Sequence, residues 1–192
     1  VRHRFFSSNY VEPNYRPQIE LTYNPGSGGL VTPTPTATTT GPAPSISPVP
    51  TAGSETLGAM KDTYIADGDS ADTNFARFNW KMHVKDPSKR SLMEFDLSAI
   101  PFGAQISRAQ LYLYAAERTN YSGEVIIKLH ALKRPWVEEE TTWNRARAGE
   151  PWGLPGANDL VTDRSSAAFA SFAVSEIDTW YNVNIRPQIQ AW

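Results

Sequence analysis

The fold is decided by short stretches in which polar and apolar residues alternate, such as RSLMEFDL at 90–97 and EVIIKLHAL at 124–132. Successive side chains of a β-strand point to opposite faces, so this alternation predicts strands with a buried face. In the second stretch the inward row is Val125, Ile127, Leu129 and Ala131, while Lys128 and His130 face outward. Both stretches are therefore predicted to be strands of a sheet that packs on a core.

Comparable segments recur along the chain and are separated by turn signals such as Asp67-Gly68 and Ser122-Gly123. They lie at 1–6, 16–23, 61–66, 80–84, 106–115, 167–174 and 179–185. Many short strands with regular turns predict an all-β protein, an antiparallel β-sandwich of jelly-roll type. A single helical turn is expected at 186–192, and the lack of alternating strands and helices excludes doubly wound enzyme folds.

The composition narrows the function classes. The 192 residues carry 18 Lys and Arg against 20 Asp and Glu, and this balance argues against a nucleic-acid partner. The absence of cysteine excludes disulfides and thiolate metal sites. No apolar run reaches the roughly 18–20 residues that span a bilayer, so no membrane span is expected.

A segment rich in Pro, Thr, Ser and Gly occupies residues 24–56, and it carries no charged or aromatic residue from 24 to 54. Such a segment cannot bury a core and is predicted to be an extended, semi-rigid linker. Threonines beside prolines are typical of O-glycosylated stalks. The candidate glycosylation sites are Thr32, Thr34, Thr36, Thr38, Thr39 and Thr40, with an N-glycosylation sequon at Asn120.

An ordered series of motifs runs through the second part of the chain. It comprises KDTYIA at 61–66, RSLMEFDLSAIP at 90–101, KRPWVEEETTWNRA at 133–146 and GEPWGLPGA at 149–157. This series resembles the DNRLRE-domain family, which includes carbohydrate-binding module family 96. Residues 5–23 are similar to the closing strands of that family. The resemblance implies a β-sandwich module seen as the end of one copy, a linker and the start of the next.

Three regions follow from this resemblance. Residues 1–23 are expected to complete a preceding or neighbouring sandwich, residues 24–56 to form the linker, and residues 57–192 to form a module that lacks its last strands. Within the first region Ile19 and Leu21 alternate with polar residues, which identifies them as the strand-completion pair. Whether residues 1–23 pack on the same protomer or on another stays open.

The resemblance also implies an acidic polysaccharide, such as alginate, as ligand. A uronate needs cations on one face, and outward positions on the predicted strands supply candidates. Rings on the face opposite the leucines of the 106–115 strand can form a ledge for sugar stacking, although cross-strand packing is the commoner fate of such rings. The candidate ligand-binding residues are Lys81, Lys85, Lys128, His130, Tyr112 and Tyr114.

The acidic turn DGDSADTN at 67–74 offers oxygen ligands for a structural calcium ion. The candidate ligands are Asp67, Asp69, Asp72 and Asn74. A polar turn capped by its own Asp and Asn side chains is the alternative.

Motifs for catalysis are missing from the sequence. The run Glu138-Glu139-Glu140 does not have the spacing of a glycosidase pair, and no nucleophile elbow or phosphate loop occurs. Trp136 and Trp143 are expected to be buried as plugs at the end of the sandwich. The chain is therefore predicted not to be an enzyme.

Two functions remain, and both place the protein outside the cell or on its surface. The first is a non-catalytic structural module whose partners are adjacent copies in a tandem-repeat surface stalk or fibre, joined by strand completion and an O-glycosylated linker. The alternative is a carbohydrate-binding module attached to a secreted enzyme.

Overall fold

Eleven strands and a short helix make up the described part of the chain. The computed structural model describes residues 2–25, 52–76, 81–119 and 123–191. The elements are β1 (Arg2–Phe6), β2 (Gln18–Asn24), β3 (Gly53–Ala66), β4 (Lys81–Val84), β5 (Lys89–Phe95), β6 (Gln105–Thr119), β7 (Val125–Leu129), β8 (Arg145–Arg147), β9 (Glu150–Pro151), β10 (Ala170–Val174), β11 (Thr179–Asn184) and α1 (Arg186–Ala191).

The main sheet has seven strands in the order β4-β1-β6-β2-β3-β5, with β11 paired to β6. All its pairs are antiparallel. A bridge between Lys85 and Lys89 joins β4 to β5, so the sheet curls into a nearly closed, barrel-like sandwich. A two-stranded sheet of β7 and β10 lies against it. The predicted all-β, antiparallel sandwich is confirmed.

The long strand β6 organises the sheet. Leu111 pairs with Ile19 of β2 on one side and with Val183 of β11 on the other. Ala115 likewise pairs with Phe5 of β1 and with Thr179 of β11. Strands β1 and β2 therefore lie end to end along the same edge of β6, and residues 7–17 form a loop that leaves the sheet between them.

The N-terminal strands are part of the sheet formed by the same chain. Ile19 and Leu21 are each only 1% exposed, which confirms the one-sided burial predicted for residues 16–23. Strand β3 pairs with β2 from Gly53 onward. Residues 53–56 and Asn24 therefore belong to strands and not to the linker as predicted, because their backbone groups join the ladder.

Two cores lie on opposite faces of β5. Met93 and Phe95 pack against the larger core between the sheets, whereas Leu92 belongs to a smaller core with Trp136 and Trp152. Strand β5 thus has apolar residues on both faces because each face covers a different core. The helix α1 closes one end of the larger core with Ile189.

Trp136 and Trp143 differ in how deeply they are buried. Trp136 is 3% exposed, as predicted, but Trp143 is only half-buried, so the prediction that both are buried is wrong for Trp143. The guanidinium of Arg90 lies 5.2 Å from the centre of the Trp143 ring and leaves part of it at the surface. Among the described residues we find no helix of the length and apolarity that crossing a membrane requires.

Candidate functional site

One outer face of the main sheet brings β1, β4, β6 and β11 side by side. On β1, His3 and Phe5 point into the protein, so the alternate residues Arg2, Arg4 and Phe6 point outward. Arg4 pairs with His83 of β4 and Phe6 pairs with Lys81. On the other side of β1, Arg4 pairs with Glu117 of β6. Paired residues share a face, so these side chains form one surface.

An aromatic strip covers part of this face around Tyr114. The Tyr114 ring lies 5.4 Å from the ring of Phe6, nearly parallel to it, and 5.4 Å from the indole of Trp180, nearly perpendicular to it. Tyr15 lies 4.6 Å from Tyr114. We define the aromatic strip as Phe6, Tyr10, Tyr15, Tyr112, Tyr114 and Trp180, all of which are half-buried.

Burial of alternate residues on β6 explains why its tyrosines face outward. Leu111 and Leu113 are buried in the larger core, so Tyr112 and Tyr114 point to the opposite side, as predicted. The two tyrosines pack against a neighbouring strand and also keep part of their surface exposed. The expected ledge and the expected cross-strand packing therefore occur together.

The loop between β1 and β2 delivers two further rings. Tyr10 stacks on Phe6 with ring centres 3.7 Å apart. The backbone N–H of Ser8 donates to the Asp62 carboxylate at 2.5 Å, and the Arg16 Nε donates to the backbone oxygen of Tyr10 at 2.8 Å. These bonds hold the loop over the outer face, so its rings have defined positions.

A basic cluster adjoins the strip. We define it as Arg2, Arg4, Lys81, Lys85 and Lys89, which surround His83. The His83 side chain is 7% exposed. Burial, together with the smaller effect of the charges of Arg4, Lys89, Arg2 and Lys81, lowers the pKa of His83 to about 3. His83 is therefore neutral at pH 7, and the positive charges around it favour an anion.

Several polar atoms of this region have no hydrogen-bond partner in the protein. They are the Nε atoms of Arg2 and Arg4, the Nδ1 of His83 and the Oγ of Ser88. The His83 ring is fixed by stacking on Tyr64 at 4.2 Å. These polar atoms are themselves buried, so the exposed ends of the surrounding cations, and not these atoms, are what a ligand on the surface could contact.

Glu117 stands between the strip and the basic cluster. One carboxylate oxygen accepts from Arg4 Nη1 and the other accepts from Lys81 Nζ. The burial of Lys81 and the charge of Arg4 lower the pKa of the Lys81 ammonium. The face thus carries an acceptor in the middle and cations on either side of it.

Comparison with known families fits a site of this kind. A family model described as carbohydrate-binding module family 96 matches residues 54–152, just over half of the chain. The chain belongs to this family. No curated protein and no solved structure matches the chain. The match includes the β4, β5 and β6 residues of the face, whereas Arg2, Arg4, Phe6 and Trp180 lie outside it.

Four of the six predicted ligand residues of this carbohydrate-binding module share the face. They are Lys81, Lys85, Tyr112 and Tyr114. Lys128 and His130 lie elsewhere, because β7 pairs with β10 in the second sheet. The His130 Nδ1 lies 3.0 Å from the backbone oxygen of Ser165. The structure does not bring these two residues to the basic cluster.

Sequence reasoning missed more than half of the face. Arg2, Arg4 and Phe6 alternate with buried residues in RHRFF, and this pattern could have identified them as one outward row. Trp180 and Lys89 join the face through pairing between distant strands, for which a single segment gives no signal.

The turn at 67–74, which was predicted to bind calcium, forms hydrogen bonds with residues 138–144. The Asn74 amide nitrogen donates to the backbone oxygens of Glu138 and Thr141, at 2.7 and 2.8 Å. Asp72 accepts from the Asn144 amide at 2.9 Å. Within the described ranges, no three or more His, Cys, Asp or Glu side chains are grouped to hold a metal ion. Calcium binding by Asp67, Asp69, Asp72 and Asn74 stays a prediction.

A buried carboxylate supports the loop that carries Tyr10 and Tyr15. Asp62 is 1% exposed, and burial, with a smaller effect of the Glu138 charge, raises its pKa to about 7 against the lowering effect of the Ser8 hydrogen bond. Burial also raises the pKa of Glu138. The Asp62 N–H donates to Glu138 at 3.4 Å. The predicted glycosylation sites Thr32 to Thr40 and Asn120 lie outside the described residues.

Proposed function

We propose that the module binds an acidic polysaccharide, a polyuronate such as alginate, across the aromatic strip and the basic cluster. The observation that carries this proposal is the strand register, which sets Phe6 and Arg4 of β1 beside Tyr114 of β6 and Lys81 of β4. Rings and cations are then adjacent on one surface.

The aromatic strip suits the apolar face of a sugar ring. An aromatic ring offers a flat, weakly polar surface, and the half-buried rings of Tyr114 and Trp180 keep their positions through contacts with each other. A platform that is already ordered loses little conformational entropy when a ligand binds.

The basic cluster suits the carboxylate of a uronate. Arginine presents a planar fork of donors that matches a carboxylate, and lysine adds a point charge. Arg2 lies opposite Lys85 in the continued register of β1 and β4. A neutral polysaccharide would use the strip alone, so affinity for a polyuronate should exceed affinity for a neutral chain.

The proposal places a non-catalytic module on a secreted or surface protein, where it holds an attached protein to its polysaccharide. The family description as a binding module and the positions of rings and cations support this role. An enzyme that acts on the same polysaccharide is the attached protein that fits this role best.

A structural role in a stalk or fibre remains the second candidate because of one observation. Strands β1 and β2 precede residues 26–51 in the sequence. They nevertheless pair with β3, β4 and β6, which follow those residues. An adjacent copy can supply equivalent strands through strand completion, with the Pro/Thr-rich segment as a spacer. Filaments of regular repeat in native material would favour this role.

Native gel electrophoresis in gels containing alginate or a neutral glucan tests the binding proposal. The protein should be retarded by alginate more than by the glucan. Arg2→Ala should lose most of this retardation, whereas Lys128→Ala on the other sheet should keep it. Equal retardation of the two variants, or none for the parent, would contradict the proposal.

A further inference from the structure

Glu117 is the acidic residue at the centre of the candidate face. It pairs with Arg4 across β6 and β1, and its two oxygens accept separately from Arg4 and Lys81. Its side chain is 37% exposed, compared with 23% for Arg4 and 13% for Lys81. Glu117 is therefore the most exposed member of the three.

We propose that Glu117 is a specificity-determining residue that takes the place of a ligand carboxylate between Arg4 and Lys81. This inference rests on the proposed function and names the selectivity of the same site. With Glu117 in place, the anionic groups of the ligand are directed to the Arg2, Lys85 and Lys89 end of the basic cluster. The two cations nearest the aromatic strip already share the single negative charge of Glu117.

A sugar at the aromatic strip consequently meets the Glu117 carboxylate as well as the cations paired with it. Phe6 is two residues from Arg4 on the same face of β1, so the sugar at the strip lies beside Glu117. A carboxylate accepts hydrogen bonds from sugar hydroxyls, but it repels a sulfate or a second carboxylate. The face is thus selective for polysaccharides with spaced anionic groups over densely sulfated ones.

Removal of the charge tests this inference. Glu117→Gln keeps the shape and an acceptor oxygen but removes the negative charge that Arg4 and Lys81 share. We expect its affinity for dextran sulfate to rise about tenfold or more relative to the parent, and its binding to become more sensitive to salt. Glu117→Asp keeps the charge and should keep the selectivity of the parent.

Glu20 provides a matched control. It is also 37% exposed, lies on the outer face of β2 and pairs with an arginine, Arg108, at 3.4 Å. Glu20→Gln therefore removes the same charge from the same sheet without touching the basic cluster. Its affinity for dextran sulfate should change less than twofold.

The outcomes separate this inference from the proposed function. If the parent binds alginate and Glu117→Gln gains no affinity for dextran sulfate, the inference is overturned and the function stands. If the parent does not bind alginate but Glu117→Gln gains dextran sulfate, the inference stands and the polyuronate ligand is wrong. If neither protein binds either polymer, both fail. Should Glu117→Gln not fold, Glu117→Thr removes the charge with a residue that favours strands, and the same outcomes apply.

Discussion

The ring of Tyr114 stacks on the ring of Phe6 with centres 5.4 Å apart and planes inclined by 12°. This contact joins a residue inside the family match to a residue that precedes it by more than a hundred positions. The candidate binding face is therefore completed by the N-terminal strands. Any loss of β1 should remove both a ring of the strip and two cations of the basic cluster.

The two motif tryptophans should differ in their effect on stability. Trp136→Ala should lower the free energy of unfolding by about 3–5 kcal/mol, because it empties a buried volume in the smaller core. Trp143→Ala should cost less, because the ring is half-buried. Urea denaturation measures both, with Phe102→Ala, a fully exposed turn residue, as the control. Equal losses for the two tryptophans would contradict the difference in packing.

Asp62 should make stability depend on pH. Its pKa is about 7 in the folded protein and 3.8 in the reference state, so the folded protein binds the proton more tightly. Its contribution to the free energy of unfolding is therefore retained at low pH and lost as the pH rises from about 4 to 7. Asp62→Asn cannot titrate and keeps an acceptor for the Ser8 N–H, so it should melt higher than the parent at pH 8.

His83 has the opposite effect on stability. Its pKa is about 3 in the folded protein and 6.5 in the reference state, so its contribution to the free energy of unfolding increases as the pH rises from 3 to 6.5. Comparison of Asp62→Asn with the parent at each pH cancels that contribution. Asp69→Asn, at an exposed position, is the control. A difference in melting temperature between Asp62→Asn and the parent that is the same at pH 5 and pH 8 would refute the role of Asp62.

Strands β1 and β2 should complete the sheet even when supplied separately. A fragment of residues 52–192 leaves pairing edges of β3, β4 and β6 open, and we expect it to melt lower than the whole chain and to aggregate. A peptide of residues 1–25 should raise its melting temperature by strand addition. The same peptide with Ile19→Asp and Leu21→Asp should have no effect, since both side chains enter the larger core. A fragment as stable as the whole chain would show that the strands are dispensable.

Local alternation was sufficient to predict nine of the eleven strands, all but the short β8 and β9, but not the face that they form. Ile19, Leu21, Tyr112 and Tyr114 were placed on their correct sides because a strand repeats every two residues. Lys81 and Lys128 look alike in sequence, since each is an outward lysine on a short strand. Only the pairing of β4 with β1, and of β7 with β10, sends them to different surfaces.

The remaining errors have similar causes. Trp143 is half-buried, and its ring contacts the guanidinium of Arg90, which lies more than fifty residues away in sequence and gives no local signal. The start of β3 was assigned to the linker because Gly, Ser and Thr give no strand signal of their own. Pairing with β2 extends the strand into those residues.

The most direct test of the central claim follows the tryptophan indole N–H signals by NMR during titration with an alginate oligosaccharide. The account predicts that the Trp180 signal shifts, because its ring lies on the aromatic strip. The Trp152 signal should stay in place, because that N–H donates to the backbone oxygen of Thr142 at 2.9 Å inside the protein. Shifts of amide signals around Lys128 on β7, with an unchanged Trp180 signal, would contradict the account.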